Sequence, residues 1–252
     1  MRWLRYLFPA NGGRCVVCRR MLHKGEEYIC VSCLADLPYT HLMAHPSNVL
    51  EKLFWEHIPI ERATSLFTYY RKADSHQILR DLKYHNRPGL GCFFGRMMGR
   101  QLRDTDFFDT VDMIVPVPLA RERFRKRGYN QSEMLADGLH EITGIPVRKD
   151  IVKRVVSNKT QTSLTRSERM RNVEGIFQAV KDVELEGKHI LLVDDVVTSG
   201  STMISCAKAL GINNNMRFCI LALAMSASVA DVPYYREPDD DEWANQEGEV
   251  YM

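Results

Sequence analysis

Two acidic residues, Asp194 and Asp195, are followed two positions later by the hydroxyl-rich run Thr-Ser-Gly-Ser-Thr at 198–202. The apolar residues 190–193 predict a buried strand before the acids, and the pattern over 203–210 predicts a helix after the run. Unpaired N–H groups at a helix start favour a phosphate, and hydroxyls add further donors. Carboxylates accept hydrogen bonds from vicinal sugar hydroxyls. Together these residues predict a site for a ribose 5-phosphate group.

Two simpler interpretations of this stretch stay open at the level of sequence. Paired aspartates at a strand end could hold magnesium alone, and a run of serine, threonine and glycine could be a capped turn. Neither accounts for the whole order of strand, two acids, two apolar residues and hydroxyl run. A Walker-type phosphate loop is excluded because no Gly-Lys-Ser/Thr follows the strand.

Four cysteines near the N-terminus have the spacing C-x2-C-x11-C-x2-C. Four thiolates can surround a structural zinc ion tetrahedrally, although they also suit a single iron, and disulfides are the alternative. The sequence shows no export signal, so we expect a cytoplasmic protein, and disulfides are uncommon in that compartment. A region this small needs the metal in order to fold. We therefore predict structural zinc on Cys15, Cys18, Cys30 and Cys33.

The composition is that of a globular protein with an uneven charge distribution. The chain has 252 residues, 45% of them hydrophobic, and no apolar run approaches the ~20 residues that span a bilayer. Residues 231–252 hold eight acidic residues and one basic residue, which sum to −7, so the total of +2 leaves +9 for residues 1–230. A basic body permits binding of nucleic acid or of a phosphate-rich small molecule.

Alternating strand and helix patterns predict a parallel α/β sheet. The expected strands are 63–70, 112–117, 190–194 and 217–224. Helical spacing is present over 48–57, 75–84, 90–102 and 132–142. We divide the chain into a cysteine module (1–40), a linker helix (41–57), a large domain (58–230) and an acidic tail expected to be disordered (231–252).

Two polar segments of the large domain also bear on ligand binding. Pro116 and Pro118 end the second strand, five basic residues follow within 121–127, and a new helix begins after Gly128. This order of strand, basic loop and helix start predicts a further anion site. Residues 150–181 are rich in hydroxyl, amide and basic side chains, which is typical of a mobile lid or a disordered insert.

The Asp-Asp-x-x-Thr-x-Gly-x-Thr form of the central stretch resembles the phosphoribosyl diphosphate (PRPP) loop of type I phosphoribosyltransferases. The whole chain is similar to the ComF (GntX-like) family associated with bacterial DNA uptake. Besides the four cysteines and the acidic loop, the matching motifs are Phe8-Pro9, Phe54-Trp55, Leu82-Lys83-Tyr84, Pro116-Val117-Pro118-Leu119, Arg127-Gly-Tyr-Asn-Gln131 and Arg171-Asn172-Val173.

The resemblance implies roles for individual residues. Asp194 and Asp195 would be the catalytic acids that hold the ribose hydroxyls. The PRPP-binding loop would be Val196, Val197, Thr198, Ser199, Gly200, Ser201 and Thr202. Pyrophosphate and lid candidates are Lys83, Pro116, Val117, Pro118, Arg125, Arg127, Asn130, Gln131, Arg169, Arg171 and Asn172. Magnesium is expected with PRPP, beside the structural zinc.

The family resemblance also implies a function, with one alternative. The first hypothesis is transfer of ribosyl 5-phosphate from PRPP to an acceptor that the sequence does not identify, during natural transformation. The alternative is a non-catalytic PRPP-sensing module that binds DNA or protein. The expected partners are PRPP, single-stranded DNA and proteins of the competence machinery, and no membrane span is expected.

Overall fold

The computed structural model describes residues 13–70, 73–155, 175–180, 184–212 and 215–229. Its strands are β1 (Ile60–Tyr69), β2 (Met113–Pro116), β3 (Val152–Arg154), β4 (Phe177–Ala179), β5 (His189–Val197) and β6 (Arg217–Ser226). Its α-helices are α1 (Val31–Ala35), α2 (Val49–Lys52), α3 (Asp74–Tyr84), α4 (Pro88–Leu102), α5 (Arg121–Arg127), α6 (Gln131–Thr143) and α7 (Ser201–Leu210). None of these helices is both long enough and apolar enough to cross a membrane. The acidic tail, 231–252, lies outside the described residues.

Four strands form a parallel sheet in the order β1-β6-β5-β2. All four predicted strands are present, and β1, β5 and β6 extend beyond their predicted bounds. β2 ends at Pro116, as expected for a residue with no N–H to donate to a ladder. The next residue, Val117, still donates its N–H to the carbonyl of Val193 at 2.9 Å. The predicted parallel α/β class is confirmed.

Both faces of the sheet are buried, which explains the unbroken apolar run in β5. Leu191 and Val193 face the core formed with α4 and α6, whereas Ile190 and Leu192 face the core formed with α7. Helices α4 and α6 pack closely because Gly138 lies against the backbone of α4. A Cβ on that glycine would come within 2.2 Å of the α4 carbonyl oxygen at position 92.

The segment predicted as a helix over 48–57 is helical only in α2, which ends at Lys52. Asn48 begins it, and its Oδ1 accepts from the backbone N–H groups of Leu50 and Glu51 at 2.9 and 3.0 Å. Tight turns follow and place Phe54, which is fully buried, in the core beside α7. Tertiary burial of this aromatic side chain therefore overrides the helical spacing.

The described parts of the polar segment 150–181 form two short strands, β3 and β4, that pair antiparallel. Apolar residues on both sides, including Val152 and Phe177, pack into the core beside α7. The sequence did not predict these strands because three residues are too few to show a two-residue period. The basic run 121–127, expected as a loop, forms helix α5 with Gly128 at its end in the left-handed region, φ +79°.

The cysteine module packs directly on the sheet. Cys15, Val16 and Cys30 are fully buried and belong to the same hydrophobic cluster as Leu191 of β5. The segment that follows the module also touches the sheet, since Tyr39 forms an antiparallel bridge with Phe67 of β1. One core therefore spans the predicted limits at residues 40 and 57, and those limits remain predictions.

Candidate functional site

Asp194 and Asp195 lie inside strand β5, near its C-terminal end, rather than in the loop after it. Asp194 pairs with Ala222 of the neighbouring strand β6. Open α/β sheets bind their ligands at this edge of the sheet. The two acids predicted to hold ribose hydroxyls thus have a rigid backbone and a position at the ligand-binding edge.

Asp194 accepts two hydrogen bonds through Oδ1, from the Ser132 hydroxyl at 2.8 Å and from the backbone N–H of Asp195 at 2.8 Å. Ser132 belongs to the first turn of α6, where its N–H donates to Oδ1 of Asn130 at 3.2 Å. Burial raises the pKa of Asp194 to about 7, and the charge of Asp195 adds to that rise. The two hydrogen bonds and Lys83 act in the opposite direction.

Asp195 forms an ion pair with Lys83, whose Nζ lies 3.4 Å from Oδ2. Lys83 is on the last turn of α3, so this contact joins α3 to the end of β5. Both side chains are largely shielded from solvent, with 27% of the lysine and 14% of the aspartate side chain exposed. Lys83, a pyrophosphate candidate from the sequence, thus lies beside the acidic pair in the structure.

The hydroxyl-rich loop between β5 and α7 ends in a tight turn at Gly200. Gly200 adopts φ +71° at the N-terminal cap of α7, and a Cβ there would come within 2.9 Å of the Phe54 ring. Glycine is needed for both reasons. The first bond of the helix runs from the N–H of Ile204 to the carbonyl of Gly200 at 3.0 Å, so the three N–H groups before it lack intrahelical acceptors. Around them lie the hydroxyls of Ser199 and Ser201, which contact each other at 2.9 Å.

The candidates on the pyrophosphate side fall into two groups by burial. Val117, Asn130 and Gln131 are buried, and the side-chain amide of Asn130 donates to the carbonyl of Val117 at 3.0 Å. Asn130 therefore fixes the end of the β2 loop against α6. The Nε2 atom of Gln131 has no hydrogen-bond partner among the described residues. Pro116 is buried and Pro118 is half-buried beside them.

The basic candidates on α5 are at the surface. Arg125 is exposed, and the guanidinium of Arg127 lies 5.3 Å from the centre of the Tyr84 ring. Tyr84 directly follows the lysine that contacts Asp195, so α5 adjoins the acidic site. The lid candidates Arg169, Arg171 and Asn172 lie outside the described residues.

Two residues near the acidic pair were not among the predicted site residues. Ser132 donates to Asp194, and its position in the first turn after Gly128-Tyr-Asn-Gln is the only sequence signal for it. Arg154 stacks on the Phe177 ring at 5.5 Å, and its pKa is lowered by burial and by the charge of Arg123, while Asp194 opposes that shift. No sequence pattern indicated that Arg154 would lie here, because it is a single arginine in a polar segment.

The four cysteines form one cluster in which all Sγ atoms lie within 4.8 Å of one another. Sγ of Cys18 is 3.8 Å from Sγ of Cys30, and all four thiols are free rather than paired in disulfides. Backbone N–H groups point at two of the sulfurs, from residue 30 to Cys15 and from residue 33 to Cys30, each at 3.4 Å. Four converging thiols supported by N–H groups fit a tetrahedral metal ion.

A buried carboxylate connects this cluster to the acidic site. Asp81 of α3 is fully buried and contacts Arg19, which follows a cysteine of the module, at 3.4 Å. It also pairs with Arg87 and with His85. Asp81 lies two positions before Lys83, so the cysteine module is anchored to the same helix that carries the lysine contacting Asp195.

Comparison with known proteins agrees with the fold. A family model described as a phosphoribosyl transferase domain matches residues 101–251. The chain is 30% identical over 213 residues to competence protein F of Haemophilus influenzae, covering 78% of this chain and 90% of that protein. It is 29% identical to DNA utilization protein YhgH of Escherichia coli, covering 82% and 89%, and 25% identical to competence protein ComFC of Bacillus subtilis, covering 92% and 87%.

The fold and the comparisons together define a protein with a phosphoribosyltransferase domain, preceded by a four-cysteine module. Within that class, the chain belongs to the ComF family. The predicted fold class, a parallel-sheet type I phosphoribosyltransferase-like domain after a small four-cysteine module, is confirmed.

Ionisation of Asp194 should lower the stability of the folded protein. Its pKa is about 7 when folded against an ordinary value of 3.8, so its contribution is full below about pH 4 and is lost as the pH rises through 7. Asp194→Asn keeps the oxygen that accepts from Ser132 but cannot ionise. We expect the variant to match wild type at pH 4 and to exceed it at pH 8, on the order of a few kcal/mol.

Urea unfolding of both proteins between pH 4 and pH 8 measures this difference. The exposed Asp109, changed to Asn, is the matched control and should track wild type at each pH. A constant gap between the Asp194→Asn and wild-type curves across this range would contradict the burial of an ionisable carboxylate.

Proposed function

We propose that this chain binds PRPP at the C-terminal end of β5 and transfers its ribosyl 5-phosphate to an acceptor, releasing pyrophosphate. The observation that carries the proposal is the adjacency of Asp194 and Asp195 to the loop ending at Gly200. Carboxylates for sugar hydroxyls and unpaired N–H groups for a phosphate lie at the same edge of the sheet. The names of the relatives, competence and DNA utilization proteins, support a ComF-type role in DNA uptake.

The mechanism that this geometry supports is positioning with electrostatic stabilisation. Asp194 and Asp195 would accept hydrogen bonds from the two ribose hydroxyls, while residues 198–202 hold the 5-phosphate. Fixing the sugar at both ends orients its anomeric carbon towards an acceptor. Negative charge beside the ring would then stabilise the positive charge that develops as pyrophosphate leaves.

The charge of the leaving group needs cations, because the acidic pair supplies none. Lys83, Arg125 and Arg127 are the described basic candidates, and Arg154 is an addition from the structure. Magnesium bound with PRPP would act as a Lewis acid that stabilises the charge of the leaving pyrophosphate, beside the ribose hydroxyls that Asp194 and Asp195 would hold. On release of Lys83 from Asp195, its ammonium group could turn towards the pyrophosphate.

The sharpest test of the PRPP site is Asp195→Asn. The change keeps the shape of the side chain and removes the charge that strengthens its hydrogen bonds. We expect a loss of roughly 1.5–3 kcal/mol, about ten- to a hundredfold in affinity for PRPP with magnesium. Calorimetric titration measures it, with ribose 5-phosphate as the comparison ligand.

The matched control is Asp104→Asn, which removes the same charge from a side chain that is 83% exposed. This variant should bind PRPP as wild type does. The proposal fails if wild type does not bind PRPP under these conditions, or if Asp195→Asn binds it equally tightly.

We further propose that the four-cysteine cluster holds a structural zinc ion. The support is the convergence of four free thiols within 4.8 Å of one another, with N–H groups directed at two sulfurs. Zinc bound to four thiolates adds no redox chemistry and fixes geometry. Because the module shares a hydrophobic cluster with β5, the ion would stabilise the packing of the module on the sheet.

Loss of one thiol should therefore affect the whole chain. Cys18→Ser removes an exposed ligand without opening a cavity in the core. We expect about one zinc ion fewer per chain, and a melting temperature of the main unfolding transition that is lower by several degrees. Elemental analysis and calorimetry measure the two quantities.

The control is His23→Ala, which removes an exposed histidine of the same module and should leave both quantities unchanged. A Cys18→Ser protein that retains all its zinc would contradict the proposal. An unchanged main transition despite zinc loss would instead show that the module is energetically separate from the sheet.

A second candidate function is a PRPP-sensing module that binds single-stranded DNA. It is favoured by one surface, which we call the α5 surface, made of Tyr84, Arg121, Arg123, Phe124, Arg125 and Arg127. Phe124 and Tyr84 are large apolar side chains with 45% and 42% exposure, set among arginines next to the acidic site. Exposed aromatic rings stack on bases, while the surrounding cations meet phosphates.

This candidate predicts that Phe124→Ala weakens binding of a labelled single-stranded oligonucleotide by about 1–3 kcal/mol, or five- to 150-fold. Arg125→Ala should lower the affinity and reduce the slope of log K against log salt by about 0.7. Fluorescence anisotropy over a salt series measures both effects.

Arg103→Ala is the matched control. Arg103 directly follows α4 and is close in sequence to Asp106, which forms an ion pair with Arg62 near the start of β1, at the end of the sheet opposite the acidic pair. It should leave affinity nearly unchanged. If Phe124→Ala and Arg125→Ala both bind the oligonucleotide as wild type does, DNA does not contact the α5 surface.

A further inference from the structure

A second group of potential metal ligands lies at the other end of the sheet from the PRPP site. Glu61, His189 and Cys219 belong to the first residues of β1, β5 and β6, three adjacent strands. One ligand atom from each lies within 4.8 Å of the other two. His189 and Cys219 are each only 1% exposed. The proposed function and the four-cysteine module use none of these residues.

The position of Glu61 results from an irregularity in β1. The pairing of β1 with β6 shifts between Ile60 and Arg62, which leaves Glu61 as the extra residue of a bulge. Such bulges redirect a side chain locally. Here the carboxylate reaches the imidazole of His189, with Oε2 at 3.3 Å from Nε2. The other oxygen, Oε1, pairs with Arg217, so the two carboxylate oxygens have separate partners.

A hydrogen bond at Nδ1 orients the imidazole of His189. Nδ1 lies 2.8 Å from the hydroxyl of Thr110, which can accept its proton. That tautomer leaves the lone pair of Nε2 directed at both Glu61 and Cys219. Metal-binding histidines are commonly oriented in this way, through a hydrogen bond from the nitrogen that does not bind the metal.

The distances around Nε2 are compatible with ligands of one metal ion. Both Oε2 of Glu61 and Sγ of Cys219 lie 3.3 Å from Nε2. The 3.3 Å between Nε2 and the Glu61 oxygen is long for an N–H···O bond, which prefers about 2.9–3.0 Å, whereas the Cys219 thiol can donate a hydrogen bond to Nε2 at this distance. Ligands bound tetrahedrally to zinc at about 2.0–2.3 Å lie roughly 3.3–3.8 Å apart.

We propose that Glu61, His189 and Cys219 form a second metal site that takes Zn²⁺ or a similar late first-row divalent cation. One carboxylate, one imidazole and one thiolate are a donor set that zinc accepts. Cys219 loses its thiol proton to solvent when the ion binds, so the ion and its two anionic ligands together are neutral in a largely buried site. The fourth position is left to water on the side of Glu61, which is 35% exposed. The site would join the starts of three strands.

Zinc content and cobalt titration test this site without any measure of catalysis. After dialysis, wild-type protein should hold about two zinc ions per chain, one of them in the four-cysteine cluster. Glu61→Gln and Cys219→Ser should each hold about one fewer. Glu61→Gln alters a partly exposed side chain and keeps its size, so it decides the outcome if Cys219→Ser fails to fold. Glu186→Gln, at an exposed glutamate three residues before His189, is the matched control and should equal wild type.

Cobalt gives an independent readout because its bond to a thiolate absorbs in the near ultraviolet. Protein that is stripped of metal and reloaded with one zinc ion per chain, which fills the four-cysteine cluster, should develop this absorption with cobalt in wild type and in Glu186→Gln, and not in Cys219→Ser. Equal zinc content in wild type and Glu61→Gln overturns the proposal. So does the absence of new cobalt–thiolate absorption in the wild-type protein.

Discussion

Two adjacent carboxylates at the end of a buried strand are the constraint on which the rest of the site depends. Burial and the charge of Asp195 both oppose ionisation of Asp194, whereas the proposed role as an acceptor of sugar hydroxyls favours the charged form. Two helices supply groups that favour the charged form of the acids. They are the Ser132 hydroxyl on α6 and the Lys83 ammonium on α3. Helix packing on the sheet is therefore part of the site, because both helices must hold their positions for the acids to remain available.

The cysteine module contacts α3, the helix that carries Lys83. Asp81 is buried on α3 and receives Arg19 from the module, while Lys83, two residues further along, contacts Asp195. Fully buried residues of the module also share one hydrophobic cluster with β5. A metal ion in the module would thus limit the movement of α3 relative to the strand that bears the acids. The module therefore packs on the large domain and shares its hydrophobic core.

Strand β5 carries polar residues near both ends of the sheet. Its C-terminal part carries Asp194 and Asp195, and its first residue, His189, is the centre of the cluster with Glu61 and Cys219. Between them, Ile190 to Val193 are fully buried on both faces and hold the strand in place. A strand with a buried centre can carry separate groups of polar residues on either side of it, and a change in one group need not disturb the other.

The sequence by itself determined the elements whose signal is local. The apolar run before Asp194 predicted a buried strand, the paired prolines predicted the end of β2, and the spacing of four cysteines predicted their convergence. Only the tertiary structure decided contacts between distant segments. Ser132 meets Asp194 across 62 positions, Arg154 comes from a polar segment without periodicity, and the cluster of Glu61, His189 and Cys219 combines three strands. Such contacts depend on strand order and register, which no short-range pattern encodes. For the same reason, burial of Phe54 in the core, and not helical spacing, fixed where α2 ends.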